Sequence, residues 1–388
     1  MAAGGNWKEM FHATEKGDLE LVKYHLKMGV DPNYQHPEYA TNALLESIQK
    51  GRLEMAELLL KNGANPAIVQ DFSKETPISI AVAQKNKAAI YLLNQYLSEK
   101  DQYLDIDPQH TVLVTGGNRG IGKAIAEILL KQGYRVIISV RKVAEGQTVV
   151  EALKVSTGNP AISFIQGDLS NIQSCLNLIK QVQLAHPEID TLINNAGVMM
   201  LEKQLNEDGL EISFMVNYLA PYLLCKGLLP ILKANQPARI VNVNSKLYGM
   251  GKLDIEKTPY GLDFNKIKTY ATSKLCNACF TIDFAQEIAE SGVTINAVHP
   301  GVINTGIGDG PGFLSQIVKF IKRFWKTPLE GADAPNWLAV DPKLDTIHGK
   351  YFDLKKEVEY HVKAMDAEVR KALQLKTEEI LEKHLEAI

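Results

Sequence analysis

"TVLVTGGNRGIGKAIAEILLKQG", residues 111–133, decides the fold. A run of strand length leads into a glycine-rich loop, and the loop opens an apolar helix. Gly116, Gly120 and Gly122 punctuate the loop. Glycine lets the backbone come close to an anionic group, and a helix N-terminus offers free N–H groups and the positive end of the peptide dipoles. A glycine-rich loop alone says little. Placed between a strand and a helix, it suits a βαβ unit that cradles a pyrophosphate.

Reading downstream, the same alternation repeats. "RVIISVR", "ISFIQGD", "TLINNAG", "RIVNVNS" and "VTINAVHPG" are further β-rich runs, each followed by a segment of helical length. Together with the first run they predict six strands. Alternating strands and helices predict an α/β, Rossmann-type, doubly wound parallel sheet across residues 110–388.

Reading upstream, a repeat comes first. "EKGDLELVKYHLKMGVDPN" (15–33) aligns with "QKGRLEMAELLLKNGANPA" (49–67), so that Gly17 maps to Gly51, Gly29 to Gly63 and Pro32 to Pro66. A weaker third copy begins at "ETPISIAVAQ" (75–84). Leu19, Val22 and Leu26, like Leu53, Ala56 and Leu60, form an apolar helix stripe. Pro77 suits a first helical turn, and Gly29 and Gly63 suit left-handed helix ends. The pattern resembles ankyrin repeats, whose period is about 33 residues. A small all-α domain of about three repeats is expected over 1–98, with no nucleophile, metal cluster or phosphate loop. Its expected role is docking a protein partner or capping the rest of the chain. Residues 99–109, "EKDQYLDIDPQ", read as a linker.

Composition narrows the function classes. The net charge of −3 over 388 residues gives no general attraction to nucleic acid. Cys276 and Cys279 form a C-x-x-C without a second pair of ligands, and His299, His348 and His361 do not cluster, so no metal site is expected. Cys175, Cys225, Cys276 and Cys279 read as core thiols of a reducing compartment. The start, "MAAGGNWKEM", lacks the apolar core of a secretory leader, and no apolar run is seen to reach the ~18 residues of a membrane span. A cytoplasmic protein is expected.

"YATSK", residues 270–274, puts a phenol and an amine on one side of a helix. With T-G-x-x-x-G-x-G at 115–122, "NNAG" at 194–197, "VNYLAP" at 216–221, "RIVNVNS" ending at Ser245 and "HPGVINT" at 299–305, it resembles the short-chain dehydrogenase/reductase family. The likeness is strongest to its retinol-dehydrogenase-like branch, on "YATSKLCNACFTIDFAQEIAESGVTINAVHPG" and "KTPLEGA". The resemblance covers about 110–355. It implies Tyr270 as general acid/base, Ser245 holding the substrate oxygen, Lys274 on the cofactor ribose, and Asn217 anchoring a water that resupplies the proton. An ammonium one turn away is expected to lower the Tyr270 pKa. The resemblance further implies cofactor contacts at Gly116, Asn118, Arg119, Gly120, Ile121 and Gly122, at Arg141, at Asp168 and Leu169, at Asn195, Ala196 and Gly197, at Tyr270 and Lys274, and at Pro300, Gly301 and Thr305. Asn244 departs from the family, which often has a second serine there. Family members are often dimers or tetramers through two long helices.

The second strand ends "ISVRK" without a carboxylate, and Arg119 sits inside the loop. Two guanidinium groups suit a ribose 2′-phosphate, so NADP(H) is the expected cofactor. The stretch about 306–330 is expected to cover the substrate. Gly306, Gly308, Gly310 and Gly312 open it, and Phe313, Ile317, Phe320, Phe324 and Trp325 interleave with lysines and arginine. It suits a packed cover, the wall of a pocket for a lipophilic carbonyl compound, or, at 313–326, a basic amphipathic helix on a membrane surface. The tail from 357 reads as a charged helix. The expected function is an NADP(H)-dependent oxidoreductase interconverting a lipophilic aldehyde or ketone and its alcohol. The alternative is an NADP(H)-binding adaptor with little turnover that acts through the ankyrin-like surface.

Overall fold

The computed structural model describes residues 6–35, 41–70, 73–84, 86–98, 110–301 and 327–385. They fall into two compact units, one within 6–98 and the other within 110–340 and 344–385.

The first unit is three pairs of short helices. They are α1 (Trp7–Lys16) with α2 (Leu19–Lys27), α3 (Ala43–Gln49) with α4 (Leu53–Lys61), and α5 (Pro77–Ala83) with α6 (Lys87–Asn94). Local chemistry starts or stops most of these helices. Asp18 accepts from the Leu21 amide at 3.0 Å and Asn42 from the Leu45 amide at 2.9 Å. Thr76 and Ser79 cap each other's amides ahead of Pro77, and each such cap satisfies an N–H the helix cannot. Gly29 and Gly63 follow their helices at φ 83° and 90°, the left-handed conformation that only glycine adopts freely. Val22, Leu44, Ile48, Ala56, Leu59 and Leu93 are fully buried between the pairs. Successive pairs are also tied by amides: Asn33 donates to the Gly63 carbonyl at 3.0 Å and accepts from the Asn65 amide at 2.6 Å.

The second unit is a sheet in the order β3-β2-β1-β4-β5-β6-β7-β8. The strands are β1 (Thr111–Thr115), β2 (Arg135–Val140), β3 (Ile162–Gln166), β4 (Thr191–Asn194), β5 (Ala238–Val243), β6 (Val293–His299), β7 (Tyr351–Asp353) and β8 (Lys356–Val358). All neighbours pair in parallel except β7 with β8. Strand order reverses between β1 and β4. There the connections leave the sheet in opposite directions and open a crevice at the strand C-termini. Helices α7 (Gly120–Lys131), α8 (Val143–Thr157), α9 (Ile172–Ala185), α10 (Ile212–Phe214), α11 (Ala220–Ala234) and α12 (Lys266–Glu287) connect the strands, and Pro328–Val340 and Ala367–Leu385 follow. Leu113, Ile137, Leu192, Ile240 and Ile295 form one face of the sheet, buried with residues of α9, α11 and α12.

The six expected strands form, and two more follow among the described residues. β7 and β8 are three residues each and join through Leu354 at φ 58°. Strands that short carry no periodicity, and their turn has neither Gly nor Asn to announce it. β8 therefore lies where the sequence reads as the start of the helical tail. That helix begins at Ala367 instead. A second correction concerns Ile212–Ala234, which is long and apolar enough to cross a membrane. The segment is mostly buried, and it holds core residues of this unit such as Phe214, Leu224 and Leu228. The stretch expected to cover the substrate lies outside the described residues except for 327–330, as does the linker 99–109.

Candidate active site

The loop after β1 is built so that backbone meets backbone. Thr115 Oγ1 accepts from the amides of Asn195 and Ala196, both at 3.0 Å, and Asn195 Nδ2 donates to the Thr115 carbonyl at 2.9 Å. These bonds lock the loop after β1 to the end of β4. Gly116 has φ +65°, and a Cβ there would stand 3.2 Å from Ala196 Cα. At Gly122 a Cβ would lie 2.4 Å from both the Gly116 carbonyl oxygen and Asn195 Nδ2. The first turn of α7 follows Arg119 with no side-chain cap, so its amides point into the crevice uncommitted to a side chain. Glycines that no other residue can replace, with an uncapped helix start, fit the diphosphate of a dinucleotide.

The remaining expected cofactor residues surround this loop unevenly. Ile121 is half-buried, and Arg119 and Arg141 are exposed. Asn118 is engaged, donating to Glu145 at 2.8 Å, and Glu145 also pairs with Lys142 at 3.4 Å. Asp168 spends one oxygen on its own turn, accepting from the Ser170 amide at 2.9 Å, and Leu169 beside it is buried. Gly197 is at the end of the β4 segment, Pro300 and Gly301 follow β6, and Gly301 has φ 93°. Thr305 lies outside the described residues.

Four side chains converge across the crevice. Tyr270 and Lys274 lie one turn apart on α12, and Ser245 follows β5. Ser245 lies close enough to the Tyr270 phenol to favour its anion, and its hydroxyl oxygen accepts from the Leu247 amide at 3.3 Å. Lys274, 4% exposed, donates to the Val243 carbonyl at 2.8 Å. Asn217, 0% exposed, sits in a π-helical turn, Met215–Leu219, a feature that recurs at functional sites. Its side chain clamps the Val198 backbone, accepting from the amide and donating to the carbonyl, both at 2.8 Å. It also donates to Ser273 Oγ at 2.9 Å, and Ser273 donates to the Tyr270 carbonyl at 2.7 Å. A Cβ on Gly197 would stand 3.3 Å from Asn217 Oδ1 and 3.5 Å from Lys274 Nζ, so glycine leaves room where the two approach.

Burial sets the electrostatics. It pushes the Tyr270 phenol up from 10, opposed by the nearby Ser245 hydroxyl. It lowers Lys274 from 10.5 to about 8. The expectation that the Lys274 ammonium lowers Tyr270 is therefore corrected: desolvation dominates in the protein alone, and the ammonium is turned to the Val243 carbonyl. His299 ends β6, and burial lowers its pKa to about 4. It is a neutral ring near pH 7. His348 is structural, accepting from the Ile295 amide at 3.2 Å and bonding the Ala285 carbonyl at 2.7 Å.

Asn194 opens the NNAG motif, but several other polar residues around the site were not singled out from the sequence. Asn194 donates to Asn242 at 2.8 Å, and Asn242 to Thr281 at 2.9 Å, which ties β4 through β5 to α12. Asn277 is buried one turn after Lys274. Its i+3 spacing from Lys274 was the available signal. Asn244, noted only as a departure, accepts from the Ser245 amide at 2.6 Å.

Comparison with known proteins agrees with this arrangement. The short chain dehydrogenase family matches residues 110–310, and ankyrin repeats, in three copies, match residues 10–103. Retinol dehydrogenase 14 of Mus musculus is 36% identical over 277 residues, covering 68% of this chain and 83% of that protein. Retinol dehydrogenase 13 of Mus musculus is 34% identical over 273 residues, covering 69% and 82%. Among solved structures, a short chain dehydrogenase from Burkholderia cenocepacia in complex with NADP is 25% identical with a TM-score of 0.52, covering 63% of this chain and 96% of that one. A short-chain dehydrogenase/reductase from Serratia marcescens, at 23% identity and a TM-score of 0.51, covers 63% and 95% and shares the fold.

Proposed function

The chain belongs to the short-chain dehydrogenase family, and from that premise we propose that it is an NADP(H)-dependent oxidoreductase interconverting a lipophilic aldehyde or ketone and its alcohol. The observation that carries the reading is Ser245 placed where it favours the Tyr270 phenolate, with a buried Lys274 one helical turn away. A phenol raised by burial is a poor acid until something favours its anion. Ser245 beside it favours the phenolate, and it is placed to hold a substrate oxygen next to the phenol. Lys274, with a proton bound loosely near pH 8, stores the proton that Tyr270 passes on. Asn217 keeps unused lone pairs for a water that links Lys274 to solvent. The nicotinamide, when bound, supplies or takes the hydride.

Preference for NADP(H) is supported by Arg119 and Arg141, both exposed at the loop and just past β2. Glu145, which bonds the loop through Asn118, is also paired with Lys142. The lipophilic substrate class is supported by the retinol dehydrogenases in the comparison and by the apolar-basic composition of 313–326. We place the protein in the cytoplasm, where four buried thiols stay reduced, with 313–326 as its contact to a membrane surface. The ankyrin repeats are the docking or capping unit.

The test is NADPH and NADH titration by protein fluorescence, followed by NADPH oxidation against retinal, decanal, a steroid ketone and an aromatic ketone. Turnover on one hydrophobic class is expected. Arg119→Ala with Arg141→Ala is expected to weaken NADPH about tenfold or more while sparing NADH, since each lost charge-assisted bond to phosphate is worth roughly 1.5–3 kcal/mol. Equal losses for both cofactors would remove the NADP(H) preference. Tight NADPH binding without turnover would favour the adaptor.

A further inference from the structure

We propose that Asn244 and Asn277 are positioning residues, a buried amide bridge that locks the Ser245 loop to the turn carrying Asn217. The inference rests on the reading of the site above.

It starts from the Asn217 carbonyl, which lies in the π-helical turn Met215–Leu219. The donor an α-helix would supply, four residues on, is Pro221, which has no N–H. The carbonyl lies in the core, where an unpaired acceptor is costly. Asn277 Nδ2 fills the gap from α12, donating to the Asn217 carbonyl at 3.1 Å. The other end of the same amide faces β5. Asn277 Oδ1 accepts from Asn244 Nδ2 at 3.1 Å, and Asn244 Nδ2 also donates to the Lys274 carbonyl at 3.1 Å. Asn244 Oδ1 closes the chain on the Ser245 amide at 2.6 Å.

Each amide thus donates at one end and accepts at the other. One polar path runs from Ser245 through Asn244 and Asn277 to Asn217, touching the Lys274 backbone on the way. Asn244 and Asn277 are 3% and 2% exposed, so water cannot replace a lost partner cheaply. Three segments that supply the four site residues are held in register by two side chains that touch no reacting atom. A serine at 244 has a single O–H and, while accepting from the Ser245 amide, can donate to only one of Asn277 and Lys274. Asn244 and Asn277 therefore act as one unit.

The experiment uses the full chain with Asn244→Ala, Asn277→Ala and the double variant, beside Tyr270→Phe. Three quantities are read: NADPH affinity by fluorescence, kcat and KM with all-trans-retinal, and hydrogen–deuterium exchange of peptides 212–222 and 244–250. Each single variant is expected to lower kcat about 10–100-fold, the scale of a misplaced reacting group, and to leave NADPH affinity within about twofold. The double variant is expected to fall no more than about threefold below the worse single, because coupled residues are not additive. Each single variant is also expected to speed exchange in both peptides. The proposal is overturned if kcat is unchanged in folded variants, or if the losses multiply and only the peptide nearer the substitution responds. Should the alanine variants not fold, Asn244→Ser and Asn277→Ser are read by the same exchange criterion. If wild type turns nothing over, or Tyr270→Phe keeps its rate, the oxidoreductase reading fails, while the exchange data still decide the bridge.

Discussion

The two units bury polar side chains in different ways. In the ankyrin unit, Thr14 donates to the Met10 carbonyl, Ser47 to the Ala43 carbonyl, and Asn42 accepts from the Leu45 amide. Partner and side chain are three or four residues apart. In the sheet unit, Asn217 reaches Ser273 across 56 residues, Asn277 reaches Asn217 across 60, and Asn194 reaches Asn242 across 48. The first kind of bond finishes a helix that would form nearly as well without it. The second fixes one segment against another and has no local substitute. The repeat array also has bonds between repeats, such as Asn33 to Gly63 and Asn65, but each repeat rests on its neighbours mainly through apolar contact. A site that must hold a phenol, a hydroxyl and an amine in one geometry needs the second, since their placement is what chemistry depends on.

The comparison breaks most visibly at Tyr270. Tyr270→Phe removes one oxygen and leaves the packing, so kcat is expected to fall about 10²–10⁴-fold, the usual share of positioned proton transfer. NADPH affinity by fluorescence titration is expected to stay within about twofold. A variant that keeps most of its rate would mean that the proton travels elsewhere.

Leu59→Ala asks the same of the other unit. Leu59 is 0% exposed, and truncation there is expected to cost about 2–5 kcal/mol. The loss should be read as faster hydrogen exchange in peptides within 41–70. The expected kcat is that of wild type, and a changed kcat would show that the units do not work separately.

Lys274 gives a pH signature. Its folded pKa of about 8 lies below its unfolded value of 10.5. Between those values the unfolded chain binds more protons, so the contribution of Lys274 to stability rises with pH. Lys274→Met removes that slope. Relative to the variant, wild type is expected to gain about 2–3 kcal/mol between pH 8 and 10, measured by denaturant titration at each pH. A flat difference would mean that Lys274 is solvated.

The smallest effect sharpens the contrast. Ser47→Ala deletes a buried hydroxyl whose acceptor, the Ala43 carbonyl, already serves the helix ladder. The array is expected to change by less than about 0.5 kcal/mol in denaturant titration, because alanine is also the better helix former. A loss matching that of Leu59→Ala would erase the distinction between local and long-range polar burial.

Much of this was legible in the letters. Gly116 and Gly122, Gly29 and Gly63, and Thr76-Pro77 announce their conformations through chain chemistry alone. The order of Asn217, Ser245, Tyr270 and Lys274 along six strands and their helices marks where the site lies. β7 and β8 were not legible, since three residues make no pattern and Leu354 is an unusual residue for their turn. Nor was the role of Asn244, which reads as a departure until Asn277 is beside it.

By itself, then, the amino-acid sequence determined the repeat, the alternation of strand and helix, and which residue types meet the crevice. Those follow from backbone preferences and apolar spacing, which act over a few residues. Only the tertiary structure decided that Lys274 holds its proton near pH 8, that burial raises Tyr270, and that Asn277 supplies the donor Pro221 lacks. Desolvation and hydrogen bonding at a buried atom depend on what packs around it, and that is brought from distant parts of the chain.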